Sequence, residues 1–281
     1  ERIEELGWIY HTIGNIIPQT YDNYWSGHNF PYSESWDELQ ISFNLICFGL
    51  YKQAFTSLRS SLELGLLSVY YNINDDGHNA VKEWLHSRNT NEANTPYAKE
   101  IWNILLSNNN IKKFNDKNKL REIFNNLGYL HNYVHTKGIK YSNSMGIPKS
   151  NSQTFEPILL DQWLKSYADV ISLVCTMHLL KYPISVVRFD YSKKFGIDIP
   201  NFGGLQEHGI DKISKILPEN YLSDIEEIAN EDPDTQIIIT QISSLPDMTE
   251  EQIEEQMIHV DQMLIEHGNG FTKWLEIQEQ L

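Results

Sequence analysis

Cysteine is nearly absent: two residues in 281, with no CxxC pair, leave neither a disulfide scaffold nor a cysteine-based zinc site to build on. Cys47 and Cys175 each fall inside an apolar helical pattern and are expected to be small buried hydrophobes in a reducing, cytoplasmic setting. Long hydrophobic runs are missing too. Stretches such as Leu45 to Phe48, or those around Ile171 to Val174, fall far short of the roughly 20 residues of a membrane span, so no helix is expected to cross a bilayer. There is no GxxxxGK[ST] loop and no GxSxG elbow, and Gly203-Gly204 lacks the strand-to-helix GxGxxG context. No cofactor is expected. Repeats of 20–50 residues are absent as well. Arginine is scarce, 5 against 17 lysines; with abundant Asn and Ile this suggests an AT-rich microbial genome. The chain opens at Glu1 without methionine or a signal-like run, which reads as a piece of a longer protein.

What is present is a folded composition: 41% apolar, 12% aromatic and 21% charged residues, enough chain to bury a large core. The net charge of -16 is uneven, about -7 over 1–108, +6 over 109–150, 0 over 151–189 and -15 over 190–281. So acidic a whole argues against duplex DNA, whose affinity comes from releasing counterions against a basic face. Only the segment holding Lys112, Lys113, Lys117, Lys119, Arg121, Lys137, Lys140 and Lys149 can attract phosphate, unless it is simply a solvated face.

Apolar residues recur at helical spacing almost throughout. A helix is expected over 3–17, stopped by Pro18, then an aromatic, turn-rich stretch. Ser35 is expected to cap one long helix, or two collinear ones bent near Gly49, running from Trp36 to about Ile73. Segments 79–88 and 96–107 follow, the second capped by Thr95 with Pro96 at its first position. Asp116 should cap a helix whose stripe is Leu120, Ile123, Phe124, Leu127, Leu130 and Val134, closed by Gly138. Residues 139–156 read as loop. A strong helix covers about 158–182 and ends at Pro183. The segment 190–208 has no clear period and reads as a linker. Helices are expected at 209–217, 219–230 and 250–267, the last with a Thr249–Gln252 capping box, and a short one at 271–281. Ile237, Ile238 and Ile239 favour a strand by β-branching but follow the helix-start signal Asp232-Pro233-Asp234, and the helical reading is preferred. The expected fold is therefore all-α: a helical bundle body over 1–189, a linker over 190–208 and a smaller acidic helical module over 209–281.

Two segments carry chemistry. In LRSSLELGLLSVYY (58–71), Arg59 and Glu63 are four apart on one face of an apolar helix; in LGYLHNYVHTKG (127–138), His131 and His135 are likewise four apart. Packed together, the four could hold a phosphate through Arg59, move protons through the histidines and fix the arginine with Glu63. Lys137 and Lys140 would add phosphate contacts. The competing reading is structural, with Arg59 and Glu63 satisfying one another and the histidines facing backbone or solvent. A zinc pair needs a third ligand, for which Glu63 or His178 would serve; HNYVH has Asn132 where the metalloprotease motif has its glutamate, and no metal is expected.

An apolar helix carrying Arg59 and Glu63, followed by a helix ending in YVHTKG, resembles bacterial HEPN-like helical-bundle proteins over about residues 36–185. That resemblance implies a helical bundle, a metal-independent ribonuclease or its inactive relative, a phage-defence or toxin-antitoxin setting, an RNA substrate and a homodimer. The usual arginine-then-histidine signature of that group is not matched: after Arg121 the positions hold Asn126, Leu127 and Gly128. The alternative expectation is a non-enzymatic sensor or scaffold whose acidic C-terminal module binds a protein partner.

Overall fold

A computed structural model describes residues 2–17, 29–74, 79, 83, 95–143, 154–197 and 203–267. Among them every regular element is helical, which is the expected all-α bundle. No helix among the described residues is long and apolar enough to cross a membrane. The expected helix at 271–281, most of 79–88 and the aromatic stretch around Tyr21, Tyr24 and Trp25 lie outside the described residues.

Helix α1, Arg2–Ile13, buries Leu6, Ile9, Tyr10 and Ile13, a stripe at steps of three, one and three. The long apolar pattern that follows is neither one helix nor two collinear ones. Helix α2 spans Asn29–Cys47 and α3 spans Tyr51–Asn74, folded back on each other. Ser42 Oγ donates to the Ala54 carbonyl at 2.7 Å, Ser57 Oγ to Glu38 O at 2.9 Å and Ser35 Oγ to Ser61 O at 2.6 Å. As one number falls the other rises, so the pair is an antiparallel hairpin. Gly49 reverses the chain at φ +69°, a conformation open to glycine. Ser35 is thus no cap: the helix starts six residues earlier, and Ser35 lies buried in the seam, where a small side chain lets the backbones approach.

Helices α4 (Ala98–Leu105), α5 (Asn109–Asn118), α6 (Leu120–Asn126) and α7 (Leu130–Val134) follow. Three expectations are corrected here. Thr95 and Pro96 precede a helix that begins at Ala98 after Tyr97. Asp116 lies inside α5, whose cap is Asn108, with Oδ1 accepting from the amides of Asn110 and Ile111 at 3.1 Å. Lys119, at φ +57°, and a 3-10 turn at Leu127–Tyr129 divide the expected single helix, and Val134 faces solvent. A 3-10 turn, Ile139–Tyr141, occupies the start of the expected loop.

Helix α8, Pro157–Lys181, is the central element and ends before Pro183 as expected. It presses on α3 at Gly65, where a Cβ would come within 2.6 Å of Val174 Cγ1, and Trp163 Nε1 donates to Ser42 Oγ at 2.9 Å. Short α9 (Tyr191–Phe195) and then α10 (Glu207–Ile216), α11 (Tyr221–Glu231), α12 (Pro233–Ser244) and α13 (Glu250–His267) complete the chain. The isoleucine run is helical, in α12, because Asp232 caps it by accepting from the Thr235 amide at 2.9 Å. The capping box of α13 forms in both directions, Thr249 N to Gln252 Oε1 at 2.9 Å and Gln252 N to Thr249 Oγ1 at 3.3 Å. Packing runs across 190–208: Leu205, Ile210, Ile213, Leu217, Ile225 and Ile228 belong to the same core cluster as Leu6, Leu62 and Val174. Cys175 is buried, whereas Cys47, at the end of α2, is exposed, contrary to expectation.

Candidate functional site

Helices α3 and α7 run antiparallel. Phe55 stacks on Tyr133, centroids 4.4 Å apart and planes within 9°, and Lys52 Nζ donates to Thr136 Oγ1 at 2.7 Å. Buried Phe55 and Tyr133 lock the two helices together, so the polar residues flanking them on each helix are brought to a common rim. On α3 these are Lys52, Arg59 and Glu63; on α7 and its end, His131, His135 and Lys137.

Arg59 pairs with Glu63 through Nη2, while its Nε is buried and has no hydrogen-bond partner. Burial raises the Glu63 carboxyl above its ordinary range, opposed by the adjacent guanidinium. The pair is therefore partly desolvated, with the arginine the more buried partner. His131 and His135 face one another with centroids 4.2 Å apart. Partial burial, then the positive groups Arg59, His135 and Lys137, hold His131 below the ordinary imidazole value. These causes favour the neutral form of His131, and the His135 side chain is exposed. Thr136 at φ +47° and Gly138 at φ +85° end the helix and turn the chain outward. Lys137 and Lys140 are exposed beyond that turn, Lys140 Nζ lying 5.5 Å over the Tyr141 ring, which meets Tyr133 edge-on.

The structure therefore brings Arg59, Glu63, His131, His135 and Lys137 into one neighbourhood, and places Lys140 on the adjoining 3-10 turn. Two other lysines of the basic segment are taken up elsewhere: Lys113 pairs with Glu231, and Lys117 with Asp224 at 2.7 Å, so part of that charge is consumed by α11, while Lys149 lies outside the described residues. His178 is buried in α8, hydrogen-bonded to Val174 O and Ser68, not beside the histidine pair. Among the described residues no group of three His, Cys, Asp or Glu side chains could hold a metal ion. Sequence reasoning missed Lys52, although it lies seven residues before Arg59 and hence on the same helical face.

No family model, curated protein or solved structure matches the chain. Its function must be argued from the chemistry of its own side chains. A cleft of about 810 Å³ lies elsewhere, against Arg188, Tyr191, Gln206, Glu207, His208 and Asp211. There Arg188 is bound by both Glu207, at 3.1 Å, and Asp211, at 3.2 Å. Two carboxylates on one guanidinium leave it no net charge to offer an anion, so volume and chemistry point to different places, and chemistry favours the histidine face.

Proposed function

We propose that the chain is a HEPN-like, metal-independent ribonuclease of a microbial defence or toxin system, acting in the cytoplasm. One observation carries the reading: the Arg59 guanidinium lies beside two imidazoles in contact, and the burial and positive charge around His131 favour its neutral form.

The reaction follows from those roles. Neutral His131 accepts the proton of an RNA 2′-hydroxyl, whose oxygen attacks the adjacent phosphorus. The imidazolium form of His135 is the one that donates to the departing 5′-oxygen. A 2′,3′-cyclic phosphate and a 5′-hydroxyl result, and the two histidines have exchanged protonation states. Arg59 binds the non-bridging oxygens as negative charge gathers on them, and Glu63 holds the guanidinium in place. Lys137 contacts a neighbouring phosphate.

The test is incubation of the protein with total bacterial RNA, with and without EDTA, beside an Arg59→Ala/His135→Ala variant. Cleavage that persists in EDTA and falls by at least about a hundredfold in the variant is expected. Undiminished cleavage by the variant would overturn the assignment. If the wild type leaves RNA intact, the reading passes to a non-enzymatic scaffold, for which the acidic helix α13 is the feature to pursue: none of its described side chains is fully buried, and Met257 and Ile258 are exposed among glutamates.

A further inference from the structure

Four large apolar side chains stand in solvent at one end of the bundle: Phe48 at 62% exposure, Ile139 at 71%, Phe155 at 72% and Ile158 at 82%. Scattered singly they would need no explanation. Here the hydrogen bonds draw them to one place. Tyr51 Oη donates to the Thr154 carbonyl at 3.0 Å and accepts from the Glu156 amide at 2.6 Å, which pins Phe155 to the first turn of α3, just past Phe48. The next two residues of α3 reach the other strand of chain, Lys52 to Thr136 and Gln53 Nε2 to Asn143 Oδ1 at 3.0 Å, and Ile139 lies between those two anchors. The apolar group thus begins where the histidine face ends. Arg59 is seven residues along α3 from Lys52, about 10 Å of helix.

The seam between the two is basic. Lys52, Lys137 and Lys140 form no ion pair among the described residues, although the chain as a whole is strongly acidic and takes up other lysines in pairs. Exposed phenyl rings beside lysines that no carboxylate neutralises among the described residues, continuous with a phosphodiester-directed site, have the chemistry of a platform for unpaired bases, since every base has a face to stack and its phosphate a charge to offer. A duplex keeps its bases inside and offers only phosphates, which the net charge of -16 repels.

We propose that Phe48 and Phe155, rimmed by Lys52, Lys137 and Lys140, form a subsite that stacks unpaired bases of an RNA strand leading away from the Arg59–His131–His135 face. This rests on the ribonuclease reading of that face for its location, and selects single-stranded RNA as the substrate.

The experiment measures fluorescence anisotropy of a labelled single-stranded oligonucleotide carrying 2′-O-methyl groups, which cannot be cleaved through the 2′-oxygen. The same strand with abasic positions and the same strand annealed to its complement serve as controls. Phe48→Ala/Phe155→Ala is expected to weaken binding of the intact single strand by at least about tenfold. Binding of the abasic strand should not differ between variant and wild type, Phe155→Trp should retain affinity, and the duplex should bind poorly to all. No binding of the single strand by the wild type, or equal affinity in wild type and double-alanine variant, overturns the subsite. So does a variant that turns a dimer into a monomer in sedimentation while its RNA affinity stays unchanged, because the patch then belongs to a second copy. Cleavage of unmodified RNA is assayed in parallel. Binding that depends on the phenylalanines without cleavage removes the ribonuclease reading and leaves the subsite, whereas cleavage indifferent to them does the reverse.

Discussion

His178 is fully buried where α2, α3 and α8 meet, and its hydrogen bonds settle its tautomer. Val174 O can only accept, so Nδ1 carries the proton at 2.8 Å, and Nε2 accepts from Ser68 Oγ at 3.3 Å; the Tyr32 ring closes the site edge-on at 4.7 Å between centroids. With no acid against it, burial pushes its pKa down to about 4 from 6.5. In the unfolded chain the imidazole takes up its proton near pH 6.5, so between there and pH 4 protonation favours unfolding. Its stabilising effect is complete above pH 6.5 and fades as pH falls to 4, a change of roughly 3 kcal/mol. Urea midpoints across that range should therefore fall steeply with acidification for the wild type and less steeply for His178→Gln. Identical slopes would show that the titrating group lies elsewhere. This role was not legible from the sequence: the 3.6 period marks His178 as inward-facing but not what Nε2 meets, because Ser68 belongs to another helix. Arg59, Glu63, His131 and His135 were legible as two i, i+4 pairs, since that spacing fixes neighbours within a helix; their convergence depends on Phe55 and Tyr133, which a linear pattern does not join.

At the scale of elements, residues without side chains decide two geometries. Gly49 turns the α2–α3 hairpin, and the sequence reading marked it as a bend without its angle, because a left-handed φ reverses a chain whereas a kink merely tilts it. The apolar stripe is compatible with both, and the serines at 35, 42, 57 and 61 that stitch the hairpin look like ordinary helix-surface polarity until they are paired. Gly65 sets the crossing of α3 on α8. A methyl group there would meet Val174 Cγ1 at 2.6 Å, Val174 Cγ2 at 2.8 Å and Tyr10 Oη at 3.0 Å, and a β-branched valine in a helix has little rotamer freedom with which to move aside. Gly65→Ala should gain up to about 1 kcal/mol of helix propensity and lose about 1–3 to overpacking, a net destabilisation. Gly128, whose Cβ would meet nothing within 4 Å and whose φ is ordinary, is the control: Gly128→Ala should be neutral or stabilise by about 0.4–1 kcal/mol. Chemical denaturation of both variants checks the contrast, and a Gly65→Ala protein as stable as the wild type would mean that α8 can slide on α3.

For the whole molecule, the charge profile and the apolar packing divide the chain differently. Charge breaks sharply near 190, with -15 beyond it, and a charge profile alone suggests a separate acidic module. Packing makes no such break: Ile210 and Ile213 of α10 and Ile225 and Ile228 of α11 are buried in the same core as α1 and α8, and Leu205 N donates to Ser185 O at 2.9 Å across the expected linker. The acids of α11 face the lysines of α5, Glu231 on Lys113 and Asp224 on Lys117, while Asp232 accepts from Asn110 Nδ2 at 2.8 Å, so opposite charges far apart in sequence become one seam. A sequence read segment by segment sees two charge blocks; the fold uses them to align one interface, with the isoleucines beneath supplying most of the free energy. Fully burying six Leu or Ile side chains from 205–228 is worth on the order of 10 kcal/mol, as much as the roughly 5–15 kcal/mol that holds an average domain folded. The body should therefore unfold together with α10 and α11. Ile225→Ala is expected to cost about 2–5 kcal/mol and to shift, by the same amount, both the helical circular dichroism transition and the tryptophan fluorescence transition, to which buried Trp102 and Trp163 contribute. An independent acidic module would give another result: a second, earlier transition would appear while the main transition kept its wild-type midpoint.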